Sequence, residues 1–348
     1  MLRMIDRLMP KNKTKQRLID AGFDLFGVGV HLKLPEDMYQ KFQSTFTQFL
    51  PEVQFIAGKK LSIDIDINIA YGPRSLKVNG YSVRFSAPAD LDRIVIDAVL
   101  ITSRLIEMKL NKKGIFSIHG SAVSYGDECV LIIGPSGAGK TTTAVYTCML
   151  DKELAYAAGN RIFVDSKDMR VIGGVKKSSL RLGSIRNEFN EFQNLQTKES
   201  IKSGNLDTDS AVQVNRISVW PSQLGICESG YPLRVKAVII LRKMDSNLCV
   251  LEKKGKTDSE LLAFYTALSE YSERMPAILM SALIPYPDEV SYTLKKKRLY
   301  FSNQFLASKP VIYIEGRLPE IARSIKQYLK NGAHTDYDSS KLLRDNNR

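Results

Sequence analysis

Tryptophan, histidine and cysteine are scarce in this sequence of 348 residues, with one, three and four respectively. Four cysteines in so long a chain do not make a disulfide scaffold, and Cys129, Cys148, Cys227 and Cys249 form no C-x-x-C pair. Reduced thiols and a cytoplasmic location are therefore expected. Trp220 stands alone and no aromatic-basic cluster accompanies it, so the sequence ranks nucleic acid low as a partner. No apolar run approaches the eighteen residues a membrane span requires, and no apolar segment follows the basic N-terminus as it would in a signal peptide. Acidic residues are also in deficit, 37 against 50 Lys and Arg, giving a formal charge of +13. An excess of that size suits a polyanionic partner, but the basic residues are scattered. The densest run, Lys295 to Arg298, reads as a solvated face.

Apolar residues make up 44% of the chain, enough to build cores. The length suits two domains, and the pattern of elements divides accordingly. Residues 1–110 read as a small α/β domain, 111–330 as a larger α/β domain with a mixed sheet and flanking helices, and 331–348 as a flexible polar tail. Residues 1 to about 22 interleave Leu, Met and Ile with Arg and Lys, which predicts a helix. From Leu61 to Ile69 the sequence alternates, with Ile63, Ile65, Ile67 and Ile69 on one face and Asp64 and Asp66 on the other. This predicts a half-buried strand at a solvent-facing edge, an arrangement that explains the two carboxylates more simply than acid/base or metal work. Asn79-Gly80 predicts a tight turn, Ala89 to Leu110 a helix, and Gly114 its stop.

Beyond Gly114 the pattern changes. Ile115 to His119 and Cys129 to Ile133 read as strands, and a helix is expected from Gly139 to about Leu150. Between the second strand and the helix lie Gly134, Pro135, Ser136, Gly137, Ala138, Gly139, Lys140 and Thr141, followed by Thr142. The first eight fit G-x-x-x-x-G-K-[ST], the loop that cradles phosphates. Its glycines let main-chain N–H groups point inward, and the helix presents its positive end to the same oxygens. Lys140 is expected at the β- and γ-phosphates, and the Thr141 hydroxyl at Mg²⁺. The expected cofactors are thus ATP or GTP with Mg²⁺. Such a loop alone names no reaction, since kinases, ATPases and GTPases share it.

The wider pattern resembles the catalytic domain of the HPr kinase/phosphorylase family, which is distantly related in its phosphate-loop core to phosphoenolpyruvate carboxykinase. The residues that carry the resemblance are Ile118-His119-Gly120-Ser-Ala-Val123, the strand Cys129 to Ile133, and Gly134 to Thr142. The ending Lys309 to Ile314 followed by Leu318 to Ile325 resembles the strand-helix close of kinase-like relatives. The resemblance implies a kinase that phosphorylates a hydroxyl on a peptide, protein or small metabolite, and a possible homo-oligomer. It also implies that His119 lies beside the nucleotide phosphates. Family kinases carry adjacent aspartates and then Arg on the strand after the phosphate-loop helix. Here that stretch is Ala158-Gly159-Asn160-Arg161, so both carboxylates are missing. Asn160 can ligate Mg²⁺ or orient a hydroxyl, but an amide is no general base. His119, Lys140, Asn160 and Arg161 are the candidate catalytic residues, with Thr141 and Asn160 as metal ligands. Asp165, five residues past Asn160, would sit about 16 Å away on an extended strand. Glu188 and Glu191 are further candidates for a metal-side acid. The missing aspartates keep open a degenerate nucleotide switch or partner protein, and a different nucleotide-dependent transferase.

Overall fold

The computed structural model describes residues 17–50, 53, 55–57, 63–88, 90–181, 216–243, 248–253, 257–273, 278–279, 284–285 and 292–332. The chain divides into two compact units, Met1–Lys109 with Pro276–Asp288, and Leu110–Met275 with Glu289–Arg348. Glu188, Glu191 and the tail beyond residue 332 lie outside the described residues.

In the first unit β1 (Leu18–Leu25) and β2 (Val28–Pro35) form an antiparallel hairpin. This corrects the end of the helix expected over residues 1 to about 22; residues 1–16 lie outside the described residues. Phe26 and Gly27 both take positive φ, 51° and 74°, the mirror-image turn that joins two strands across two residues. After α1 (Glu36–Phe49) come β3 (Ile56–Ala57), β4 (Ile65–Tyr71), β5 (Ser75–Asn79) and β6 (Ser82–Ala87). The sheet order is β3-β1-β2-β4-β6-β5, so β4 is interior and not the edge expected. Its Ile65, Ile67 and Ile69 are buried, whereas Ile63 precedes the strand and is exposed. Asp66 is engaged by its neighbours: His31 Nδ1 on β2 lies 2.8 Å from its carboxylate. The Asp64 carboxylate accepts from the Gly29 amide at 3.1 Å. The long α2 (Leu91–Lys113) ends at Gly114, whose φ of 84° closes the helix. The short strands β16 (Ile278–Leu279) and β17 (Ile284–Pro285) pair with each other.

The second unit is a three-layer α/β sandwich. Its strands are β7 (Ile115–Tyr125), β8 (Glu128–Ile133), β9 (Leu154–Asp165), β10 (Arg170–Gly174), β13 (Cys227–Glu228), β14 (Leu233–Lys243), β15 (Cys249–Lys253) and β18 (Val311–Gly316). They form one mixed sheet, ordered β10-β9-β7-β8-β14-β18-β15, with β13 alongside β9. A separate pair, β11 (Ser178–Arg181) and β12 (Arg216–Val219), lies off this sheet. β8, β14 and β18 run parallel, and β7 runs antiparallel to both β8 and β9.

Helices cover both faces. α3 (Lys140–Met149) and α6 (Leu318–Asn331) pack on Val130, Ile132, Ile239 and Ile312. α4 (Asp258–Glu273) and α5 (Tyr292–Ala307) pack on Leu131, Ile133, Val238 and Val311 through Phe264, Phe301 and Phe305. Burial on both faces is why β8 reads as an unbroken apolar run where β4 alternates. Of the basic run, Lys295, Lys296 and Lys297 are exposed on α5, but Arg298 is fully buried, which corrects a wholly solvated face. Among the described residues no helix is long and apolar enough to cross a membrane.

Candidate functional site

The phosphate loop leaves the carboxyl end of β8, beside the parallel β14, where open α/β sheets place ligands. All three glycines of the loop take positive φ, and two of them show why. Gly134 has φ 152°, and a Cβ there would lie 2.6 Å from the Leu241 carbonyl of β14. Gly139 has φ 86° and stands at the N-cap of α3 without a side-chain cap. The first turn of α3, like that of α5, carries no acidic residue, whereas those of α1, α2, α4 and α6 do. A positive helix end without its own carboxylate suits a bound anion.

Lys140 is buried, and its ammonium donates to the Gly134 and Pro135 carbonyls at 3.0 and 3.1 Å. The cation thus sits inside the loop, where phosphate oxygens can replace the two carbonyls as its acceptors. Pro135, Ser136 and Gly137 are exposed, and Ala138 and Thr142 are buried. The Thr141 hydroxyl is 3.3 Å from that of Ser121 on β7.

Register builds the rest of the site. Ser121 faces Ile132 across the β7–β8 ladder, so antiparallel pairing brings His119 level with Gly134. On the other side of β7, His119 pairs with Arg161, Gly120 with Asn160 and Ser121 with Gly159. His119, Asn160 and Arg161, all named from sequence, therefore lie in adjacent rows at the mouth of the loop. Gly120 keeps the rows close, because a Cβ there would lie 2.7 Å from the Ile132 carbonyl.

Asn160 is exposed and has φ 66°, a left-handed conformation that Asn tolerates better than most residues. Non-glycine residues held in such conformations cluster at functional sites. Its carbonyl accepts a hydrogen bond from the Tyr271 hydroxyl of α4 at 2.5 Å. The same hydroxyl is 3.1 Å from His119 Nδ1. The Arg161 guanidinium lies over the Tyr271 ring, 4.6 Å from its centroid. Tyr271 thus joins three of the predicted residues, yet no local motif announces it.

Among the described residues, the candidate carboxylate Asp165 lies away from this row. Asp165 pairs with Ile115 and Arg170 at the far end of β9, and its side chain accepts from the Lys167 amide at 2.9 Å. Among the described residues, no group of three or more His, Cys, Asp or Glu side chains is placed to hold a metal. Mg²⁺ fits the residues that are present in a sparser way. It takes hard oxygen ligands and keeps several waters when substrate phosphates supply the rest. Thr141 offers one hydroxyl at the loop, with that of Ser121 beside it.

No protein-family model matches the chain. A similar protein is the "Phosphonates import ATP-binding protein PhnC 2" of Haloarcula marismortui, 40% identical over 86 residues. The match takes in 23% of this chain and 29% of that relative's length.

Proposed function

We propose that this chain binds a magnesium nucleoside triphosphate at Gly134–Thr141 and transfers its γ-phosphoryl group to a hydroxyl. It would be a divergent member of the HPr kinase/phosphorylase-like group, acting on a peptide, protein or small metabolite. The observation that carries the reading is the phosphate loop. Lys140 sits inside a Gly134–Gly139 turn at the uncapped, acid-free end of α3. A relative named for ATP binding favours ATP over GTP.

In the proposed step, the acceptor oxygen forms a bond to the γ-phosphorus while the bond to the β-phosphate oxygen breaks. The electron pair leaves with the nucleoside diphosphate, and the hydroxyl proton passes to a base. The α3 amides and Lys140 hold the phosphates, with Arg161 beside the row. Thr141 would hold the magnesium, which supplies charge neutralisation at the phosphates. Phosphoryl transfer depends mainly on positioning and charge neutralisation, so losing an aspartate slows it without forbidding it.

The test is transfer from γ-labelled ATP to candidate acceptors, with products identified by mass. Labelled acceptor made by wild type and lost in Lys140→Ala supports a kinase. A nucleotidyl product would point to a different transferase, and tight binding without any product to a nucleotide switch. The switch reading draws on the absence of a carboxylate at residues 159 and 160.

A further inference from the structure

We infer that Tyr271 is a positioning residue that fixes the tautomer of His119, so that His119 Nε2 serves as the proton acceptor that the missing aspartates would have supplied. This deepens the kinase reading above and rests on it for the identity of the proton donor. The tautomer itself follows from donor counting.

A backbone carbonyl can only accept, so the 2.5 Å contact between Tyr271 and Asn160 uses the single hydroxyl proton of Tyr271. At its contact with His119 Nδ1, 3.1 Å away, the same oxygen must therefore accept. His119 Nδ1 then carries the hydrogen, and in the neutral ring Nε2 is the basic nitrogen. The arrangement is braced on each side. Arg161 lies over the Tyr271 ring, and the left-handed turn at Asn160, φ 66°, supplies the carbonyl that orients the hydroxyl. The His119 and Tyr271 ring centroids are 5.8 Å apart.

A base held by an oriented second group and placed by a third is the logic of a triad. Here the third group is a main-chain carbonyl. In the transfer step, the acceptor hydroxyl proton moves to His119 Nε2 as its oxygen bonds to the γ-phosphorus. The β-phosphate oxygen leaves with the electron pair of the broken bond. The resulting imidazolium still donates from Nδ1 to Tyr271, so no other proton has to move.

The experiment reads the tautomer directly by long-range ¹H–¹⁵N correlation of histidine side chains in the full-length protein. With three histidines in the chain, His119→Gln identifies the signal. The expected result is an Nδ1–H tautomer for His119 in wild type at pH 8, and loss of that preference in Tyr271→Phe, which keeps the ring over Arg161. An Nε2–H tautomer in wild type, or no change in Tyr271→Phe, would overturn the inference. A turnover arm tests the proton-acceptor role. His119→Gln should lower turnover of Mg-ATP by about 10²- to 10⁴-fold, the range a general base supplies. Tyr271→Phe should lower it less, with KM unchanged within about twofold. Full turnover in His119→Gln would also overturn it. If wild type fails to bind Mg-ATP, the kinase reading falls on that result alone, while the tautomer measurement stands separately.

Discussion

At the residue scale, Gly134 and Asn160 carry the sharpest consequences. Gly134→Ala must place a Cβ 2.6 Å from the Leu241 carbonyl at φ 152°, so the loop or β14 has to shift. The expected cost is about 1–3 kcal/mol of stability, with weaker nucleotide binding, read by urea unfolding and by titration. On the kinase reading proposed above, Asn160→Asp places a carboxylate at the strand position where that family's pattern has one. Steady-state assays should show turnover rising by about tenfold or more, within the range of a positioned base. Unchanged turnover would count against a role for this position in the proposed transfer. The Gly134–Thr141 loop between β8 and α3 was legible in the sequence because its motif is contiguous. The role of Tyr271 was not, because its contacts lie 111 and 152 residues away along the chain. Only the packing of α4 on β7 and β9 brings them together.

At the element scale, α3 and α6 are tied by ions as well as by apolar packing. Just past the end of α3, Asp151 lies 2.7 Å from Lys330 and 3.0 Å from Lys326 of α6. Hydrogen bonding to Lys330, with help from the Glu153 amide and Lys326, holds its carboxyl well below the usual carboxylate range. A depressed folded-state pKa adds stability above the unfolded pKa of about 3.9, and that stability is lost as pH falls below it. Asp151→Asn should therefore be less stable than wild type at pH 7 and in low salt. The difference should close under acid and shrink in high salt, as thermal unfolding across pH can show. On the opposite face Phe305 is fully buried and stacks on Phe264 at 5.1 Å. Phe305→Ala should cost about 3–5 kcal/mol in chemical denaturation. The buried strands and α3 were readable because burial on both faces leaves a continuous apolar signature. Residues 18 to about 22 misled because the Leu, Met and Ile interleaved with Arg and Lys before them read as helical, whereas pairing with β2 decides their conformation.

At the scale of the whole molecule, the α/β class with a mixed sheet was legible, since βα alternation after Gly114 leaves few other arrangements. Strand order was not, because nothing local says that β14 enters between β8 and β18 or that β7 lies between β8 and β9. That order is what makes the site. It sets the carboxyl end of β8 beside the middles of β7 and β9 and the Leu241 carbonyl of β14 against Gly134. On the proposed reading, this assembly binds a magnesium nucleotide through Lys140 and the loop. Calorimetric titration of the 348-residue chain with Mg-ATP, beside Lys140→Ala, reads that binding. Saturable one-site binding to wild type is expected, with affinity weakened by about 100-fold or more in the variant, the scale of a lost charge-assisted contact. Equal binding by both proteins, or none by wild type, would contradict it.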